Sequence, residues 1–195
     1  VNLSRFAYIC GDYFASACSS KDIEFTATVN AQAMDDKAAP VHILGEVDAL
    51  EKVVFNYLSN ALKYTPPGGE IELGVTSSSS TVRLFVRDSG PGISEVDKGK
   101  LFQVFSQLED STTREYEGTG LGLAYVRDLV DLMDGEVGVD SKEGKGSTFW
   151  ADLPRTSVPR PIVDILLVED DEMSLMTLSE FIPRSESIRR YKLAA

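Results

Sequence analysis

Two stretches constrain the fold of this chain more than any others: EIELGVTSSSSTVRLFVRD at residues 70–88 and GEVGVDSKEGKGSTFWADL at 135–153. Each joins two runs of alternating apolar and polar residues through a short turn, SSSS in one and KEGKG in the other, and so reads as a β-hairpin. Hairpins impose antiparallel neighbours, which excludes a doubly wound parallel sheet. Segments with helical periodicity surround them, at about residues 3–18, 47–64 and 121–133. A strand is expected near 22–30 and a short one at VHILGE, residues 41–46. The expected fold is therefore α+β, a two-layer sandwich of a mixed sheet covered by helices on one face. Residues 89–118 read as a long loop with a short helical insert at LFQVF, and loops of that length are usually functional or disordered.

The helix over Val47–Tyr64 carries the first chemical signal. Leu50, Val54, Tyr57, Leu58, Ala61 and Leu62 line its core side. Asn56, Asn60 and Lys63 follow at i, i+4 and i+7, along the opposite face. A solvated face is one reading, but asparagine is a poor helix former whose amide competes with the backbone, and Glu, Lys or Gln would serve better. The other reading is a polar site on the helix surface, just before the stop PPGG.

Two glycine motifs flank the long loop. In DSGPGI, residues 88–93, a carboxylate leaves a strand and meets glycines that admit a close ligand, although a strand-ending turn uses the same residue types. GTGLGL, residues 118–123, opens a helix, where free amides and the helix dipole suit a phosphate chain. It follows a loop and not a strand, unlike the dinucleotide fingerprint, and EGKGST departs from the P-loop spacing at both ends. A net charge of -12 argues against nucleic-acid and anionic-membrane partners. Cys10 and Cys18 have neither metal-site nor disulfide spacing, and they fit a helix core in a reducing cytoplasm. No run is long enough to span a membrane.

In order and spacing, NYLSNALKY, DSGPGI, LFQVF and GTGLGL resemble the N, G1, F and G2 boxes of sensor histidine kinases, which share their nucleotide-binding fold with gyrase, HSP90 and MutL ATPases. The match covers about residues 1–153, and EDSTTREYEGTGLGL is similar to the lid of hybrid kinases. The resemblance implies ATP and Mg²⁺ as cofactors. It implies that Asn60 is the metal ligand, with Asn56 and Lys63 beside the phosphates and Tyr64 bordering the nucleotide. Asp88 would read the adenine amine, which predicts ATP over GTP, and Gly90 and Gly92 would admit the base. From the lid, Gly118, Thr119, Gly120, Leu121 and Gly122 would reach the phosphates, and Arg114 would contact them unless it is a solvated loop charge. ATP-hydrolysing relatives carry glutamate where this chain has Asn56, which favours phosphoryl transfer to histidine over hydrolysis.

The acceptor histidine of such kinases lies in a dimerisation hairpin ahead of this domain. His42, the only histidine, sits in VHILGE and reads as an ordinary strand residue. The chain, which starts at Val1 and reads as a piece of a longer protein, is thus expected to bind ATP without autophosphorylating alone. Its partners would be that histidine-bearing domain and a response regulator or receiver domain. Residues 154–161 read as a proline-rich linker, and 162–182 resemble the start of a receiver domain, with Glu169 and Asp170, joined or not by Asp171, as its acidic Mg²⁺ cluster unless they are a solvated strand end. Receivers need a later phosphoacceptor aspartate, and none follows Asp171. The tail 183–195 ends in KLAA, which resembles a vector remnant. The strand ILLV would be a sticky edge if left unpaired. The alternative function is a nucleotide-binding regulatory module without turnover.

Overall fold

The computed structural model describes residues 1–35, 38–103 and 122–156, and the backbone of 164–168 and 190–194. Three helices of the first unit, α1 (Leu3–Ser20), α2 (Val47–Tyr64) and α4 (Gly122–Asp131), pack on a sheet of six strands. The strands are β1 (Glu24–Val29), β2 (Gln32–Ala33), β3 (Glu70–Ser77), β4 (Thr81–Asp88), β5 (Glu136–Ser141) and β6 (Ser147–Pro154), in the order β2-β1-β3-β4-β6-β5. Only β1 and β3 run parallel, joined through α2; every other pair is antiparallel. The fold is thus the α+β sandwich that the two hairpins required.

The alternation in the strands sorts the two faces. Ile71, Leu73, Val75, Val82, Leu84, Val86, Phe149, Ala151 and Leu153 turn toward the helices and are buried. They meet Leu3, Ala7 and Phe14 of α1, Leu50, Val54, Tyr57 and Leu58 of α2, and Val126 and Val130 of α4. Tyr57 donates its hydroxyl to the Trp150 carbonyl at 3.1 Å, which ties α2 to β6. Cys10 and Cys18 are buried in α1 as small hydrophobes, and burial pushes the Cys10 thiol up to about 11.

The opposite face has no helix among the described residues and shields itself. The Phe85 ring lies over Gly74 and the Trp150 indole over Gly138, each filling the space a side chain would take. Arg83 stacks on the indole at 4.1 Å and grips Asp152 with two bonds of 2.7 and 2.6 Å. Arg87 pairs with Glu72 at 3.1 Å, and Glu72 also accepts from Thr28.

Several segments depart from expectation. VHILGE makes only single bridges, with His42 opposite Asn2 and Ile43 opposite Arg155; its alternation reflects the burial of Val41 and Ile43, not a ladder. A short helix α3 (Glu95–Lys98), capped by Ser94, precedes LFQVF, of which Leu101–Gln103 form a turn and the last two residues lie outside the described ones. Residue Arg155 still belongs to the first unit, donating to the Ser78 and Ser80 carbonyls. In the second unit, β7 (Asp164–Val168) pairs in parallel with β8 (Arg190–Ala194). The ILLV strand therefore has a partner, and it comes from residues 183–195, which the sequence alone presents as a tail.

The β1–β2 turn was not expected either. Asn30 and Ala31 both have positive φ, 49° and 63°, as a two-residue I′ hairpin turn requires. Asn tolerates this and alanine does not. Ala31→Gly is expected to raise stability by about 1 kcal/mol, read as a higher urea midpoint at unchanged slope. An unchanged or lower midpoint would mean the turn is not strained.

Candidate functional site

The polar stripe of α2 is built as a unit. Asn60 donates from Nδ2 to Asn56 Oδ1 at 3.3 Å, so the Asn60 carbonyl oxygen remains its acceptor end. Asn56 is held in turn by α4: Gly122 comes so close to Asn56 Nδ2 that a Cβ at position 122 would overlap it. Lys63 lies one turn further on, its ammonium 5.0 Å from the centre of the exposed Tyr64 ring. Where α2 stops, the Tyr64 carbonyl packs against Gly90, leaving a Cβ there only 3.0 Å of room. The end of α2 and the DSGPGI turn are thereby joined.

Asp88 ends β4 on the helix-facing side and is 8% exposed. Gly90 N–H donates to Asp88 Oδ1 at 2.8 Å, and the Ser147 N–H donates to the same carboxylate. Burial pushes the Asp88 carboxyl above its ordinary range, and these two donors offset part of the rise. A carboxyl raised on folding stabilises the fold in its protonated form. That contribution is complete below the unfolded-state pKa and lost as pH rises through the folded one. Asp88→Asn, uncharged throughout, should therefore gain stability relative to the native chain as pH rises from about 4 through the raised folded-state pKa. Urea midpoints at a series of pH values test this, and a difference that does not change with pH would refute it.

The two glycine-bearing turns interlock beneath Asp88. Gly92, at φ +73°, packs on the Lys142 carbonyl, and Gly146, at φ +85°, packs on the Asp88 carbonyl. A side chain at either position would meet backbone, which cannot move aside. Gly144 N–H closes the junction on the Pro91 carbonyl at 2.6 Å. Gly92, expected from its motif to admit a base, makes its close contact with the β5–β6 turn. Ser141 Oγ accepts from Ile93 N–H at 2.8 Å, donates to the Gly146 carbonyl at 2.9 Å and lies 3.0 Å from Ser147 Oγ. An open cavity of about 360 Å³ adjoins Asp88, lined by Arg87, Asp140, Lys142, Lys145 and Thr148 among others. No residue of α2 lines it, so it borders the site and is not the whole of it.

Of the residues singled out from sequence, Asn56, Asn60, Lys63, Tyr64, Asp88, Gly90 and Gly122 are brought together around the end of α2. Arg114, Gly118, Thr119, Gly120 and Leu121 lie outside the described residues. Ser141, Gly146 and Ser147 were missed. For Gly146 and Ser147 the signal is GKGS directly before a strand; Ser141 carries none of its own. Among the described residues no three His, Cys, Asp or Glu side chains converge on a metal position. A hard divalent cation fits only with a ligand's oxygens completing its shell around an amide oxygen such as that of Asn60.

Comparison with known proteins identifies the fold and the family. Residues 45–157 match the family model described as histidine kinase-, DNA gyrase B-, and HSP90-like ATPase. The circadian input-output histidine kinase CikA of Synechococcus elongatus is 38% identical over 144 residues, 68% of this chain and 19% of that protein. The autoinducer 2 sensor kinase/phosphatase LuxQ of Vibrio harveyi is 33% identical over 188 residues, 84% of this chain and 21% of that protein. The chain thus spans about a fifth of the length of these relatives. The solved structure of the mycobacterial sensor histidine kinase MprB superposes with a TM-score of 0.67 at 27% identity, covering 81% of this chain and 99% of that one.

Proposed function

Because the chain belongs to the family of histidine kinase-, DNA gyrase B- and HSP90-like ATPases, we propose that it is the ATP-binding catalytic module of a cytoplasmic hybrid sensor histidine kinase. It transfers the γ-phosphoryl group of ATP to a histidine on a dimerisation domain of the same kinase, and from there a receiver domain or response regulator takes it. The observation that carries this reading is the joining of Asp88 to the asparagine stripe through the Gly90–Tyr64 contact. One end of the sandwich thereby offers a fixed hydrogen-bond acceptor for a base and amides with a cation for phosphates.

Each group then has a task. The Asp88 carboxylate, oriented by two backbone N–H groups, accepts from the adenine amine, and guanine has a carbonyl oxygen in that place. Lys63 offsets phosphate charge. Asn60 Oδ1 would hold Mg²⁺, which when bound would neutralise charge on the phosphate oxygens. Gly122 packs against Asn56 at the phosphate end, and Arg114, Gly118, Thr119, Gly120 and Leu121 are the further phosphate contacts of this reading. Asn56 has no proton-accepting group, so water is not activated there. A neutral imidazole nitrogen needs no such base. His42 lies in an isolated bridge beside the start of α1 and is not the acceptor. The test is calorimetric titration with Mg²⁺ and either ATP or GTP. Saturable heat with ATP and none with GTP is expected; equal binding of both would overturn the adenine assignment, and no binding would overturn the nucleotide site.

A further inference from the structure

The Ser141–Ser147 pair has a hydrogen-bond polarity that its partners decide. A hydroxyl has one proton to give and two lone pairs to receive with. The Gly146 carbonyl can only accept, so at 2.9 Å it takes the Ser141 proton. The Ile93 N–H can only donate, so at 2.8 Å it occupies one Ser141 lone pair. One lone pair remains, and at 3.0 Å it faces Ser147 Oγ. Ser147 must therefore be the donor in that contact. Its single proton is then committed, and toward any other neighbour its oxygen is an acceptor only.

Ser147 stands directly opposite Asp88 in the β4–β6 register, on the same face of the sheet, and both are buried, at 6% and 8% exposure. The carboxylate is likewise an acceptor. We infer that Ser141 is a positioning residue for nucleotide selection. By holding the Ser147 proton, it makes the floor of the base site acceptor-only, so that the floor takes a purine bearing an amine at position 6 and disfavours one bearing a carbonyl. This inference rests on the reading of Asp88 as the base-contacting group. Ser141 itself need not touch the base. Its effect passes through the orientation of one hydroxyl, buried where a donor facing a donor or an acceptor facing an acceptor has no water to relieve it.

The test compares ATP with ITP, whose base has a carbonyl in place of the amine at position 6 and a proton on N1, by calorimetry with Mg²⁺ on the whole chain. Ser141→Ala frees the Ser147 proton, and the ratio of ITP to ATP dissociation constants should fall by about tenfold. Ser141→Thr, which keeps a hydroxyl, should restore the ratio. In Ser141→Ala with Ser147→Ala the gained ITP affinity should disappear, because the donor that made it is gone. Equal weakening of both nucleotides by Ser141→Ala, with the ratio unchanged, would show a merely structural role and overturn the inference. Neutron diffraction of the nucleotide-free protein reads the polarity directly. A deuteron bonded to Ser147 and aimed at Ser141 is expected, and one bonded to Ser141 and aimed at Ser147 overturns it. Unchanged ATP binding in Asp88→Ala would instead sink the base-site reading, and the selection role with it, while leaving the deuteron position as found.

Discussion

Asp88→Ala should weaken ATP binding by about a hundredfold while leaving the domain folded. The lost interaction is a charge-assisted hydrogen bond in a buried position, the kind with the largest net effect. Truncation also deprives the Gly90 and Ser147 N–H groups of their acceptor, so part of the loss will come from a loosened turn. Asp88→Asn separates the two contributions. It keeps an oxygen for one N–H and removes the charge, so it should fold at least as well as the native chain at neutral pH and still bind ATP poorly. The same carboxyl makes binding depend on pH. Affinity should fall as pH drops through the raised Asp88 pKa, since the protonated acid accepts from the amine only as a neutral and weaker partner. Calorimetry at several pH values reads this, and a flat profile carried by an intact fold would contradict the assignment.

The second large effect concerns Asn60. When the dimerisation domain of the kinase is supplied in trans with Mg²⁺ and ATP, acid-labile phosphohistidine should accumulate on it. Asn60→Ala should slow that accumulation by about a hundredfold or more and weaken ATP binding far less, because the amide oxygen acts on phosphate charge as it redistributes. Equal losses in binding and transfer would make Asn60 an ordinary binding contact. An intact chain that binds ATP but never phosphorylates its partner would favour a regulatory nucleotide-binding module over a kinase.

Much of this architecture was legible in the sequence because its signals are local. The alternation in residues 70–88 and 135–153 is a property of neighbouring residues, and the observed strands follow it closely. The asparagine stripe was legible for the same reason, since residues four apart on a helix are bound to meet. What stayed hidden depends on contacts between distant segments. Nothing within DSGPGI says that Gly92 will meet Lys142, and nothing within KEGKGS says that Gly146 will lie on Asp88. Those meetings follow from the pairing of β4 with β6, which periodicity does not specify. VHILGE misled in the opposite direction: its alternation records which side chains are buried, and burial does not require a ladder. The parallel pairing of β1 with β3 and the β7–β8 pair were equally out of reach, since each joins strands remote in sequence.

The self-covered face of the sheet has an optical consequence. Trp150 is the single tryptophan of the chain, and its indole is pinned between Gly138 and the Arg83 guanidinium. It shares β6 with Ser147, yet it points to the other side of the sheet. Its emission should therefore shift sharply when the β4–β6 ladder melts and hardly at all when a nucleotide meets Asp88. The protein thus carries its own fluorescent gauge of unfolding, one in which ligand occupancy is almost invisible.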